Sequence, residues 1–270
     1  MTAALQSQRS NAVGRDASAA QSLLIAGAGG VLGAALLARA LGSGRFAHVQ
    51  ALVSRPLAST LAGFEPLPVE RLDALAHART AAIVFERERR NNGRDEAYVQ
   101  PQPAQSVALA QRLLAAGVRR LLVVVPHAPA LLPNALKGGL ATLDEGRIAA
   151  LGFEQLVFLR AAQQALGAAA AQPPGWPARA AGWWLSQLSW MVPQQQLPVR
   201  AERVAALAVE LAWRLRDAPI GTRVLPPEVL WLAAQADDGG AVLDDWLHGR
   251  TLPAPTGTAG TEAKASRRRW

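Results

Sequence analysis

Ser22-Leu23-Leu24-Ile25-Ala26-Gly27-Ala28-Gly29-Gly30-Val31-Leu32-Gly33 is the stretch on which the fold turns. A short apolar run enters a cluster of glycines, and an Ala/Leu-rich helical stretch continues from there to Leu41, so the order is strand, glycine turn, helix. Gly42-Ser43-Gly44 stops the helix, and His48-Val49-Gln50-Ala51-Leu52-Val53 is a second strand closed by Ser54-Arg55-Pro56. The unit is βαβ. Glycines at 27, 30 and 33 suit three needs: the first permits the tight turn, the second lets a diphosphate reach backbone amides, and the third lets helix and strand touch. The anion would sit on the helix N-terminus. Gly27, Gly29, Gly30, Val31, Leu32 and Gly33 are therefore the candidate dinucleotide-binding residues, the other reading being a bare helix–strand turn that holds nothing.

The alternation continues outward. A strand is expected around Pro66–Val69, a short helix over Arg71–Ala78 and a strand over Ala81–Phe85, followed by a charged loop from Glu86 to Pro103 that lacks apolar periodicity. Ser106 is expected to cap a helix that runs to Ala116, and Arg120–Val125 reads as a central parallel strand, apolar on both faces and stopped by Pro126. A helix over Leu136–Leu151, a strand over Gln155–Leu159, a helix over Arg200–Arg216 and a strand over Arg223–Leu225 complete the series. The fold class expected is α/β, a Rossmann-type doubly wound parallel sheet with a small C-terminal lobe. The divisions expected are a disordered leader at 1–20, the dinucleotide-binding domain at 21–160, a lobe completing the same fold at 161–250 and a disordered basic tail at 251–270.

The 270 residues are 50% hydrophobic and 18% charged, which excludes disorder as a description of the whole chain. There is no cysteine, and with it go disulfides, thiolate metal sites and cysteine nucleophiles; a cytoplasmic setting is expected. No apolar run reaches the roughly 18 residues of a transmembrane helix. The formal charge of +8 invites a nucleic-acid partner, but half of it lies at the ends, in Lys264, Arg267, Arg268 and Arg269 less Glu262 and in Arg9 and Arg15 less Asp16. Nucleic-acid binding is not favoured, and a basic interaction protein using the Arg tail stays a minor reading.

The end of the second strand selects the cofactor. An acid there would hold the ribose diol of NAD, whereas Ser54 and Arg55 offer a hydroxyl and a guanidinium to a 2′-phosphate, so NADP is expected rather than NAD. The glycine pattern, the stretch from Leu136-Lys137-Gly138-Gly139-Leu140 through Leu151 to Arg160, and the segment from Leu197 to Ala205 together resemble the extended and atypical short-chain dehydrogenases/reductases, over residues 22–232. The likeness is nearest to the Tat-interacting-protein-like and NmrA-like members. The resemblance implies a Rossmann domain with a C-terminal substrate lobe and gives Lys137 the role of the family's active-site lysine, holding the ribose. It also exposes departures. Pro133 stands where the family has its catalytic tyrosine, Pro126-His127-Ala128 replaces the strand-end serine, the single tyrosine is Tyr98, and Glu86-Arg87-Glu88 replaces small residues beside the cofactor.

His127, at the carboxyl end of a central strand, is a candidate acid/base beside Lys137. His48, His77 and His248 lack metal-ligand spacing, and no metal site is expected. Asp237-Asp238 and Asp244-Asp245 read as a turn and a helix cap. Trp183, Trp184 and Trp190 could line a site for a small apolar ligand, meet a protein partner or a membrane surface, or simply pack in the core. The function expected is a dinucleotide-binding protein with a degenerate catalytic site, acting as a sensor, partner or assembly factor. The alternative is a working NADPH-dependent oxidoreductase acting on a carbonyl or a quinone.

Overall fold

The computed structural model describes residues 21–74, 78–86, 96–127, 142–162 and 199–252. Its strands are β1 (Gln21–Ala26), β2 (Phe46–Val53), β3 (Phe64–Pro68), β4 (Thr80–Val84), β5 (Arg120–His127), β6 (Gln155–Ala162) and β7 (Gly221–Leu225). The helices are α1 (Val31–Gly42), α2 (Ser106–Ala115), α3 (Leu143–Ala149), α4 (Ala201–Arg214), α5 (Pro227–Gln235) and α6 (Gly239–Leu247). The seven strands are all parallel, in the order β3-β2-β1-β4-β5-β6-β7. The winding reverses between β1 and β4, and in open α/β sheets ligands bind in the crevice outside the carboxyl ends at such a reversal. The doubly wound α/β sheet expected from the sequence is the one observed.

Strand alternation sorts the core into two layers. Leu23, Ile25, Val49, Ala51, Ala82, Val84, Leu122 and Val124 face one side, where α1, α4, α5 and α6 cover them. Leu24, Ala26, Leu52, Ile83, Leu121, Val123 and Phe158 face the other, under α2 and α3. Every residue of β4 is buried, as a central parallel strand requires. The helix α4 is amphipathic, with Val204, Leu207, Ala208, Leu211 and Ala212 turned inward onto α1 and the sheet.

Several elements differ from the sequence expectation. The third strand is Phe64–Pro68 and the helix expected at Arg71–Ala78 is a 3-10 turn over Val69–Ala74. Ser106 is the first helical residue of α2 and not its cap, because a 3-10 turn opened by Pro103 leads in. Strand β5 continues through Pro126 to His127; β4 accompanies it only to Val124, so among the described residues the proline falls where the strand has a neighbour on one side alone, a position that tolerates its missing N–H. The helix expected over 136–151 begins, in the described part, at Thr142, whose extended backbone and side chain accepting from the Glu145 N–H form an N-cap. Asp238 caps α6 through the Ala241 N–H at 3.0 Å, as the turn-and-cap reading expects. Asp244 and Asp245 lie within α6 and are neither turn nor cap; they are held by Arg250 at 3.2 and 3.0 Å, and Asp244 also by Arg214 at 3.1 Å. Residues 1–20 and 253–270, and with them most of the expected leader and tail, lie outside the described residues.

Candidate functional site

The glycine turn sits at the reversal point, between the end of β1 and the start of α1. Gly27 has φ +98°, a left-handed conformation that a side chain disfavours, and any Cβ there would overlap the Val84 carbonyl oxygen. A Cβ on Gly33 would overlap the carbonyl oxygen of Gly27, so the third glycine lets α1 lie directly on the turn. These two positions do what the motif asks of them.

Gly30 has a more particular neighbour. A Cβ there would collide with the carboxylate of Glu86, the second residue beyond β4. One oxygen of that carboxylate, Oε1, accepts hydrogen bonds from the Leu32 N–H and from the Gly33 N–H, the latter at 3.0 Å. Both donors belong to the first turn of α1, where amides have no partner within the helix and the helix dipole favours negative charge. The turn is thus a formed anion site: two convergent amides, a cradle kept open by Gly30, and an anion in it. That anion belongs to the protein itself. The same donors and the same cradle fit the diphosphate of a dinucleotide.

The segment after β4 reaches back across the crevice. Tyr98 forms an antiparallel bridge with Val53, the Ser54 N–H donates to the Ala97 carbonyl at 2.8 Å and the Val99 N–H to the Leu52 carbonyl at 3.0 Å. Since β3 accompanies β2 through Val53, this bridge falls on the side that β1 vacates after Ile25. Pro101 then lies against Gly27, with its Cδ 3.1 Å from where a Cβ would stand. The described part of the expected loop is therefore a strap over the ends of β1 and β2, and the only tyrosine of the chain is fixed at β2, with β1 and β4 lying between it and β5.

At the end of β2 the strap meets the cofactor-selecting residues. Ser54 Oγ contacts the Glu96 and Ala97 carbonyls at 3.4 and 3.3 Å, and Arg55 Nη1 lies 3.2 Å from Glu96 Oε2. Arg55 is expected to meet a 2′-phosphate, but a carboxylate supplied from a different loop already accompanies it. Both partners are exposed, at 69% and 45%, and such a pair contributes only about 0–1 kcal/mol.

His127 is the last residue of β5, with its backbone opposite Ala162. Lys137 and Pro133 fall in 128–141, and Trp183, Trp184 and Trp190 in 163–198, outside the described residues. The structure brings together Gly27, Gly30, Leu32 and Gly33 at one end of the crevice and Ser54 and Arg55 at the end of β2. What the sequence reading missed is Glu86 as an occupant of the turn and Glu96 as the partner of Arg55. A signal for the first was available, since a glycine turn at a reversal point faces the residues that leave the strand across it, and β4 runs out into Phe85 and then the acid Glu86.

Parallel order with a reversal at β1/β4 and a glycine turn presenting amides there define a Rossmann-type α/β protein. No protein-family model matches the sequence, and no curated protein matches it. Solved structures are similar in fold. A Rossmann-fold NAD(P)-binding family protein from Shigella flexneri is 14% identical over 76% of this chain and 92% of that one, with a TM-score of 0.44. The Bordetella bronchiseptica enzyme WbmG in complex with NAD is 16% identical over 88% and 83%, at 0.43. The UDP-glucose 4-epimerase of Brucella ovis, in complex with NAD, is 15% identical over 87% and 85%, also at 0.43. Among the described residues, no helix is long and apolar enough to cross a membrane.

Proposed function

We propose that this chain is a cytoplasmic nicotinamide-dinucleotide-binding protein of the short-chain dehydrogenase/reductase type that responds to the nucleotide without turning it over efficiently. The observation that carries the binding half is the convergence of the Leu32 and Gly33 amides on one anion beside Gly30. Those amides would hold the diphosphate, Ser54 and Arg55 the ribose end, and Lys137 the nicotinamide ribose. The reduced dinucleotide, when bound, would supply a hydride. The chain's own residues orient it and leave the developing alkoxide without a positioned acid, a group that ordinarily contributes about 10²–10⁴-fold in rate.

The preferred cofactor is NADP. An exposed pair with Glu96 is weak enough for Arg55 to exchange one anion for another, and a phosphate dianion is the stronger partner for a guanidinium. A ligand bound only by the native state stabilises it by about 2.7 kcal/mol at a hundredfold excess over its dissociation constant. NADPH is therefore expected to raise the melting temperature more than NADH, and Glu96→Gln is expected to widen that difference by removing the competing charge. Gly30→Val should abolish both shifts, because its side chain fills the cradle. No shift with either nucleotide at millimolar concentration would remove the cofactor reading.

For the catalytic half the measurement is NADPH oxidation across aldehydes, ketones and quinones, expected to stay near background. Quinones are the informative members, since they accept hydride with less help from an enzymic acid. Turnover at ordinary enzyme rates that disappears in His127→Ala would replace this reading with that of a working oxidoreductase.

A further inference from the structure

Glu86 does not merely sit near the glycine turn. It uses the amides that the diphosphate needs, Leu32 N–H and Gly33 N–H, and its second oxygen, Oε2, takes the space above Gly30. Two anions cannot share these donors, because each amide has one proton to give and the charges repel at contact distance. The carboxylate is partly buried and its backbone is fixed close by, since the Phe85 N–H donates to the Val124 carbonyl at 3.0 Å. Its local concentration at the turn is therefore high and independent of dilution.

Building on the dinucleotide reading above, we infer that Glu86 is an internal competitor of the diphosphate: the crevice admits a dinucleotide only in the fraction of molecules whose Glu86 carboxylate has left the Leu32 and Gly33 amides. The contact is autoinhibitory and acts through occupancy alone. The apparent dissociation constant is the intrinsic one divided by the open fraction, so an internal anion in place nine-tenths of the time weakens binding about tenfold. Conversely, the bound dinucleotide expels Glu86 into solvent beside the strap. The protein thereby acquires two surfaces that differ by one displaced negative charge, and a partner can read the difference.

The inference makes the stability of the free protein and its affinity for nucleotide move in opposite directions. Removing the carboxylate deprives the first turn of α1 of its anion, so the unliganded protein melts lower, while the emptied cradle binds NADPH more tightly. The experiment compares wild type, Glu86→Gln and Glu86→Ala, with melting temperature measured on the free proteins and the NADPH dissociation constant measured by calorimetry. Expected is an alanine variant that melts several degrees lower yet binds NADPH at least tenfold more tightly, with glutamine between the two because its neutral carbonyl still accepts from the amides. Inorganic pyrophosphate at fixed concentration should protect Glu86→Ala against melting and leave wild type little changed. Unchanged NADPH affinity in Glu86→Ala together with a lowered melting temperature would overturn the inference and leave Glu86 a helix cap; weaker binding would overturn it by making Glu86 a ligand. Should none of the three proteins bind NADPH or pyrophosphate, the dinucleotide reading itself falls, a result distinct from both.

Discussion

Replacing Glu145 with alanine is expected to lower the melting temperature by about 6–12 °C, the effect of about 3 kcal/mol on a body of this size. Arg160, at the carboxyl end of β6, is 1% exposed, and its Nη2 lies 3.0 Å from Oε2 of Glu145, which is 6% exposed on α3. Two ions withdrawn from water at this depth each incur a desolvation cost of several kcal/mol, and the pair roughly balances that cost by mutual attraction. Alanine at 145 removes the attraction of this carboxylate while the guanidinium stays buried. The pair also ties α3, a helix of only 7 residues, to the sheet, so its loss loosens the element beyond the Thr142 cap. Thermal and urea melts check this, and a double variant clarifies the cause. Glu145→Met combined with Arg160→Met should be more stable than Glu145→Ala alone, since an apolar pair incurs no desolvation cost for a buried charge. A double variant that loses the sum of the two single effects would show that the charges act separately.

The second large effect is expected at Gly33. A methyl group there would overlap the Gly27 carbonyl oxygen and approach the Ala28 Cα to 3.0 Å, contacts with backbone that no rotamer change can relieve. Gly33→Ala must push α1 away from β1, and with it Leu32, Leu36, Leu37 and Ala40, all buried against the sheet. Overpacking of this kind costs typically about 1–3 kcal/mol, occasionally more, and we expect the upper end. The same displacement draws the Leu32 and Gly33 amides off their common target. Gly33→Ala should therefore lose nucleotide-induced stabilisation along with intrinsic stability, unlike Glu145→Ala, which leaves the turn intact. A Gly33→Ala protein that melts like wild type and responds to NADPH would show that the helix has room to shift.

Most of the sheet is readable from the sequence because its signals are local. The apolar run Leu23–Ala26, the glycines behind it and the buried run Leu121–Val124 each carry their meaning within a few residues, and the structure places β1, the turn and β5 there. Boundaries are lost where one residue type serves two purposes. Ser106 has the chemistry of a cap, yet Pro103 had already opened a turn that carries the chain into α2. Pro126 has the chemistry of a strand stop, yet its place beyond the end of β4 makes its missing N–H harmless. The site was half legible for a related reason. Glycine positions report space, and the sequence shows that space must be kept at 27, 30 and 33, but it does not show which group is to fill it. That depends on pairing between segments 54 residues apart, Leu32 with Glu86, and 41 apart, Arg55 with Glu96, and neither distance leaves a periodic trace.

The pairing of α1 with α4 bears on how the chain is made. The inward face of α1, with Leu36, Leu37 and Ala40, is synthesised early, while the helix that covers it, α4, begins at Ala201. At about 5–20 residues per second, a ribosome needs on the order of ten seconds to produce the intervening chain. Throughout that interval the first βαβ unit exists with half of its apolar cover missing. Packing of the amino-terminal half is therefore completed only after α4 has been made, by a contact between segments far apart in the chain.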